Sequence, residues 1–239
     1  MKKLRILVII PAYNEQESIQ NTVENLKQAC STMEHQVDYV VINDGSKDNT
    51  LNILKQNHFS FIDLPVNLGI GGGMQTGYLY AYQNNYDIAI QLDGDGQHDP
   101  HYIQKLIQPL VNGQADMAIG SRYIEKTGFQ STGMRQLGIK IISTSLKILC
   151  RSKVLDVTSG FRACNKKLIH FFVDHYAQDY PEPEAIISVI RNGYKIEEVP
   201  VVMNERQGGT SSISGFKSIY YMCKVELALL IQAIRKKGE

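Results

Sequence analysis

The stretch IAIQLDGDGQHDP, Ile88 to Pro100, passes from an apolar run into a cluster of acids and glycines and ends on a proline that opens a helical pattern. Ile88–Leu92 reads as a buried strand, and Pro100 suits the first turn of a helix running to Val111. The polar residues between them form a strand-to-helix loop. The same grammar recurs on both sides. Strand-like runs at Arg5–Ile10, Tyr39–Ile42, Phe59–Leu64 and Met117–Gly120 alternate with helix-like runs at Glu15–Cys30, Asp48–Asn57 and Gly71–Asn84. Such alternation predicts parallel strands joined by crossover helices, a Rossmann-like α/β sheet flanked by helices. After Arg122 the regularity gives way to a Gly, Ser and Thr-containing loop. An amphipathic helix over Gly133–Cys150, a helix around Glu182–Asn192 and a strand over Lys195–Met203 follow. The polar segment Gly208–Gly215 then leads to a terminal helix over Phe216–Lys237. The expected division is one domain over 1–214 and an amphipathic helix over 215–239. No internal repeat is present.

In a doubly wound sheet the ligand sits beyond the carboxyl ends of the strands. Four polar loops follow apolar strands here: PAYNE (Pro11–Glu15), NDGS (Asn43–Ser46), LDGDGQH (Leu92–His98) and GSR (Gly120–Arg122). One such loop is a turn; four converging make a site. In LDGDGQH, Asp93 and Asp95 flank Gly94, and Gln97 adds a third oxygen side chain. That spacing lets oxygen ligands curl around a hard divalent cation able to bridge two phosphates. An EF-hand reading fails, because His98 occupies the position where that loop needs glycine and Gln104 the position where it needs glutamate.

The glycine-rich run NLGIGGGMQTG does not match the dinucleotide fingerprint: Met74 stands where the third glycine belongs, and the run follows the third strand instead of the first. Close backbone packing around a nucleotide, with Asn67 and Gly69 shaping the turn, is the better expectation. The loop DVTSGFRA (Asp156–Ala163) offers a carboxylate, two hydroxyls and Arg162, where Arg162 reads either as a structural ion pair or as a site residue. Asp156 is the stronger functional candidate. In ERQGGTSS, Arg206 precedes a Gly and Ser segment, as suits a cation on a loop closing over phosphates.

The bulk properties permit an enzyme and exclude other classes. Hydrophobic residues make up 43% of 239 and charged residues 21%, the balance of a folded globular chain. A net charge of +1 gives no support to general nucleic-acid binding. Cys30, Cys150, Cys164 and Cys223 contain no CxxC pair, so neither a zinc knuckle nor a disulfide framework is expected. The N-terminal MKKLRILVIIP breaks at Pro11 and reads as a first strand, not a signal peptide. No run reaches the ~18 apolar residues that span a bilayer.

Taken in order, PAYNE, NDGS, NLGIGGG, LDGDGQH, GSR, TSGFR and the terminal arginine loop resemble family 2 inverting glycosyltransferases of the GT-A fold, in the dolichyl-phosphate mannose synthase-like branch. The likeness covers almost the whole chain. It implies that Pro11, Tyr13, Glu15, Ile42 and Asp44 contact the nucleoside of a nucleotide-sugar, with Asn67, Gly69 and Gly94 lining the donor site. It also implies that Asp93, Asp95 and Gln97 lie at a divalent metal (Mg²⁺ or Mn²⁺) and the diphosphate, Asp93 nearer the donor, and that Arg122 and Arg206 steady phosphates. Asp95, Arg122, Arg206 and Asp156 are then the catalytic candidates, with Asp156 orienting the acceptor or acting as base. The sequence departs from the family at Asn43, where many relatives carry a first Asp, and at Ser212, where a lysine often follows the terminal arginine. It also lacks the C-terminal transmembrane helices of several relatives.

The near-neutral total hides a basic region. Between Arg122 and Lys167 lie ten basic residues (Arg122, Lys126, Arg135, Lys140, Lys147, Arg151, Lys153, Arg162, Lys166, Lys167) and two acidic ones, Glu125 and Asp156. The helix GIKIISTSLKILCRSK alternates apolar residues with Lys140, Lys147 and Arg151, either as an interfacial helix on anionic lipid or as a core helix with a solvated basic face. With the resemblance, the leading acceptor is a polyprenyl phosphate at the cytoplasmic face of the cell membrane, and Arg135, Ser159 and Arg162 are candidates for its phosphate. The terminal helix could dock on the bilayer or on a small membrane-protein partner. A family 2 enzyme acting on a sugar hydroxyl, and a non-catalytic nucleotide-sugar-binding subunit, are the alternatives. UDP-linked hexose or N-acetylhexosamine is favoured as donor.

Overall fold

The computed structural model describes residues 3–125, 133–150, 152–178, 180–204, 224, 225 and 227, without the side chains of 133–135, 137, 149 and 150. Seven strands and seven α-helices follow one another as β1 (Arg5–Ala12), α1 (Ile19–Cys30), β2 (Gln36–Asn43), α2 (Thr50–Gln56), β3 (Phe61–Asp63), α3 (Gly69–Gln83), β4 (Ile88–Gln91), α4 (Ile103–Val111), β5 (Met117–Ser121), α5 (Gly133–Cys150), β6 (Arg162–Asn165), α6 (Lys166–His175), α7 (Pro181–Arg191) and β7 (Ile196–Pro200) among the described residues. A 3-10 turn over Pro100–Tyr102 precedes α4, with the Asp99 carboxylate accepting from the His101 amide.

The strands form one sheet in the order β3-β2-β1-β4-β6-β5-β7. β1 pairs in parallel with β2 and β4, β2 with β3, and β5 with β7. The expected mostly parallel sheet flanked by helices is therefore present. β1 reads RILVIIPA without polar interruption after Arg5 because helices cover both faces. Its side chains alternate: Leu7 and Ile9 enter the apolar cluster with α3, α5, α6 and α7, whereas Ile6, Val8 and Ile10 enter the one with α1, α2 and α4. Two glycines set how closely α3 approaches. A Cβ on Gly77 would stand 2.3 Å from Ile9 Cγ2, and one on Gly71 would stand 2.5 Å from the Gln178 carbonyl oxygen. Within α3 the glycine-rich run thus serves helix-to-sheet and helix-to-loop packing.

β6 and α6 were not foreseen. β6 is four residues, RACN, and runs antiparallel between β4 and β5. With no β-branched residue and a buried arginine, it carries no strand pattern of its own, and it exists because two neighbours offer it hydrogen bonds on both edges. Its inverted direction delivers the loop before Arg162 to the edge where the parallel strands end. Asn165 then caps α6, accepting from the amides of Lys167 and Leu168. α1 begins at Ile19 instead of Glu15, after a turn in which the Glu15 carbonyl accepts from the amides of Ser18 and Ile19. No helix among the described residues is long and apolar enough to cross a membrane. Most of the expected terminal helix lies outside the described residues; Lys224, Val225 and Leu227 are helical, with Val225 buried in the core.

Candidate functional site

The carboxyl ends of β1, β2 and β4 meet where the strand order reverses, the position where such sheets bind ligands. β4 hands the chain to the acidic loop, and close contacts fix that loop. Gly94 lies so near β1 that a Cβ would stand 3.1 Å from the Pro11 carbonyl oxygen, and its own carbonyl accepts from Thr22 Oγ1 at 3.1 Å. Gly96 adopts φ +76°, a left-handed turn that glycine adopts without strain. This turn brings the Gln97 amide to Asp95 Oδ1 at 3.0 Å. Asp95 is buried, whereas the Asp93 side chain keeps 32% of its surface exposed. The Asp93 amide donates to His98 Nδ1 at 3.0 Å, leaving His98 Nε2 3.6 Å from Asp93 Oδ2, while the imidazole stacks on Phe161.

Asp93, Asp95 and Gln97 present oxygen donors alone, the chemistry that suits Mg²⁺ or Mn²⁺, and two carboxylates leave coordination positions for diphosphate oxygens. The residues present fit such an ion. Among the described residues no group of three His, Cys, Asp or Glu side chains forms a metal cage.

Beside this loop β5 ends at Ser121, and Arg122 follows it. Asp156 grips Arg122 in a fork: Nε to Oδ2 and Nη2 to Oδ1 are both 2.8 Å, and the Arg122 amide adds a third bond to Oδ2 at 3.1 Å. Nη2 also donates to Thr158 Oγ1 at 3.2 Å, and the guanidinium lies over the Tyr123 ring. Burial acts to lower the Arg122 pKa, but the hydrogen bonds and charge of Asp156, with smaller contributions from Tyr123 and Asp93, hold it above its ordinary value. Asp156 is fully buried, and the amides of Leu155 and Asp156 are in turn held by the Glu198 carboxylate on β7. In this geometry Asp156 anchors Arg122.

Arg162 and Ser159 are likewise engaged within the fold. Both are about 1% exposed. Arg162 donates to the carbonyls of Ser159 (2.6 Å), Glu182 (2.7 Å) and Val157 (3.3 Å), tying the loop before β6 to the start of α7. Ser159 Oγ accepts from the Phe161 amide at 3.3 Å. These groups build the loop; neither presents itself to an acceptor phosphate. The Arg135 side chain and all of Arg206 lie outside the described residues. Asn204, two residues before Arg206, donates its amide to the Gln97 carbonyl at 2.9 Å, and Met203 bridges to His98.

At the ends of β1 and β2 the loops are stitched together: the Asn14 amide donates to Ser46 Oγ, the Lys47 amide to Asn14 Oδ1 and the Glu15 amide to Thr50 Oγ1. Asp44 accepts from the Leu68 amide at 2.7 Å through Oδ1 and from Asn67 Nδ2 at 3.0 Å through its carbonyl, while Asn67 Oδ1 takes the Gly69 amide. Asn67 and Gly69 do shape this turn, with Gly69 at φ +77°. Tyr13 is exposed, whereas Pro11 and Ile42 are buried. Asn43 donates to Asp63 at 2.6 Å. The site thus gathers Pro11, Tyr13, Glu15, Asp44, Asn67, Asp93, Asp95, Gln97 and Arg122 on one edge. Four contributors were not singled out in the sequence: Gln91, His98, Gly160 and Glu198. Only the appearance of a polar residue inside an apolar strand pointed to Gln91.

Residues 7–172 match the model of the family described as Glycosyl transferase family 2. The chain is 32% identical over 251 residues to the UDP-N-acetylglucosamine–dolichyl-phosphate N-acetylglucosaminyltransferase of Methanococcus voltae, covering 95% of this chain and 98% of the relative. It is 30% identical over 232 residues to the polyprenol monophosphomannose synthase of Mycolicibacterium smegmatis, covering 92% and 85%. Among solved structures it superposes with TM-score 0.72 on glucosyl-3-phosphoglycerate synthase from Mycobacterium tuberculosis in complex with Mn²⁺, UDP and phosphoglyceric acid, at 19% identity over 98% of this chain and 80% of that one. At that identity the likeness is one of fold.

Proposed function

The chain belongs to glycosyl transferase family 2, and from that premise we propose that it moves a hexose or N-acetylhexosamine, carried on UDP, to a polyprenyl phosphate. The acceptor phosphate oxygen forms a bond to the sugar's anomeric carbon as the bond from that carbon to the diphosphate oxygen breaks. The nucleoside diphosphate leaves with the electron pair, and backside attack inverts the centre. Pro11, Tyr13, Glu15, Ile42, Asp44 and the Asn67–Gly69 turn hold the nucleoside; Asp93, Gly94, Asp95 and Gln97 face the diphosphate. A divalent ion bound by Asp93, Asp95 and Gln97 would offset negative charge on the departing group. Arg122, aimed by Asp156, and Arg206 on the segment after Asn204 add positive charge at the same place.

The observation that carries a phosphate acceptor over a sugar hydroxyl is the state of Asp156. A hydroxyl must lose a proton as it attacks and needs a carboxylate free to take it; a phosphate is already anionic near neutral pH. Asp156 is buried and occupied by Arg122, which suits the acceptor that needs no base. The relatives named above, matched along nearly their whole length, support the same acceptor class.

A membrane-bound acceptor requires a membrane-facing surface, and α5 offers one. Ile139, Ile142 and Leu146 enter the core, while Lys140, Ile141, Thr144, Lys147 and Ile148 form an exposed stripe at helical spacing, with Ile148 74% exposed. Two cations flanked by two exposed isoleucines suit anionic headgroups and the apolar layer beneath them. The protein would act as a peripheral enzyme on the cytoplasmic membrane face, with residues 1–214 as the catalytic unit and 215–239 as a helix docking on the bilayer or a small membrane protein. The test is a screen of nucleotide-sugars against short-chain polyprenyl phosphate, with and without chelator, reading product mass. A lipid phosphate heavier by one hexose or N-acetylhexosamine is expected. Glycosylation of a soluble hydroxyl acceptor, with no lipid product from any donor, would overturn the reading.

A further inference from the structure

β4 reads IAIQ and is buried throughout, so Gln91, 1% exposed, places a primary amide where its neighbours are apolar. A buried amide is costly unless both ends are bonded. Both are: Nε2 donates to Asp93 Oδ1 at 3.1 Å, and Oε1 accepts from the Tyr176 hydroxyl at 3.5 Å. Because an ionised carboxylate only accepts, the Asp93 end must face the NH₂ group, which fixes the carbonyl toward Tyr176. Tyr176 is itself held, with the Tyr78 and Phe172 ring centroids 5.1 and 5.0 Å away. Main chain packs closely against the same pair. A Cβ on Gly160 would stand 2.8 Å from Asp93 Oδ2, 2.9 Å from Oδ1 and 2.9 Å from Gln91 Nε2. No positive φ marks Gly160, so space and not conformation excludes a side chain there.

We propose that Gln91 is a positioning residue that aims the Asp93 carboxylate at the cation and diphosphate of the donor, working from behind with Tyr176 as its own support. The inference rests on the function proposed above, in which Asp93 lies at that group. Partners behind a ligating carboxylate fix its direction, and their loss typically weakens metal affinity about 10–100-fold. The substitution Gln91→Met keeps the volume and the buried strand while removing both hydrogen bonds. Tyr176→Phe keeps the amide and removes only the hydroxyl behind it.

The experiment compares the unaltered protein, Gln91→Met, Tyr176→Phe and Asp93→Asn. It uses Mn²⁺ titrations followed by electron paramagnetic resonance, and calorimetric titrations with UDP or GDP, whichever the unaltered protein binds, with and without Mn²⁺. Gln91→Met is expected to weaken Mn²⁺-dependent nucleotide binding about tenfold while leaving metal-free nucleotide affinity unchanged, and Tyr176→Phe to show a smaller loss of the same kind. Should Gln91→Met lower the midpoint, Tyr176→Phe carries the test. Wild-type Mn²⁺-dependent affinity in both variants, alongside a loss in Asp93→Asn, overturns the positioning role and leaves the proposed function intact. No Mn²⁺-dependent nucleotide binding in the unaltered protein, or none lost in Asp93→Asn, overturns the reading of the acidic loop itself and this inference with it.

Discussion

Asp156→Ala separates an anchor from a base. The carboxylate accepts three bonds from Arg122, and the two side chains are 0% and 6% exposed. Removing one partner leaves a guanidinium buried without its counter-charge, a loss of about 3–5 kcal/mol. For a chain of this length each kcal/mol moves the thermal midpoint by about 2–4 °C, so Asp156→Ala should melt roughly 10 °C below the unaltered protein. Asp156→Asn keeps one acceptor oxygen and should fall between the two. The double variant Arg122→Met with Asp156→Ala removes both charges and should recover much of the lost stability without recovering transfer, because the cation needed at the departing group is gone. Calorimetric unfolding and transfer assays on the same preparations read both effects. If Asp156→Ala melts within about 2 °C of the unaltered protein while losing transfer, Asp156 acts at the reacting atoms and the anchor argument is wrong.

Three further outcomes follow from the packing. Gly77→Ala forces a methyl to within 2.3 Å of Ile9 Cγ2, and overpacking of this kind should cost about 1–3 kcal/mol, read as a lower denaturation midpoint; an unchanged midpoint would mean that α3 is free to move off the sheet. Reversing Lys140 and Lys147 to glutamate should weaken sedimentation with anionic vesicles at least tenfold, at about 1 kcal/mol per basic residue near the surface, with nucleotide binding unaltered. Burial pushes the Cys30 thiol up to about 11; a thiol in this state is about 0.1% thiolate at pH 8. Site-resolved mass spectrometry should find Cys30 alkylated far more slowly in the native protein than in urea, and equal rates would contradict the buried environment.

The first half of the sheet and the location of the acidic loop were legible from local sequence. Apolar runs of strand length alternating with helical periodicity are local signals, and β1 to β5 with their connecting helices lie close to where those signals fall. The acidic loop was equally legible, since Asp93, Gly94, Asp95 and Gln97 sit within five residues of one another and after a buried strand.

Tertiary structure alone decided the partners. Asp156 and Arg162 were both plausible acceptor-facing residues in sequence, yet Asp156 pairs with Arg122 across 34 residues and Arg162 turns inward to main-chain carbonyls. The reason lies in β6: a strand of four residues without strand propensity forms only between β4 and β5, and its antiparallel direction carries Asp156, Gly160 and Arg162 to the edge already occupied by Asp93 and Arg122. Periodicity records which side of an element is apolar. Which charged group meets which is set by contacts between segments far apart in the chain, and those form only when the sheet closes around them.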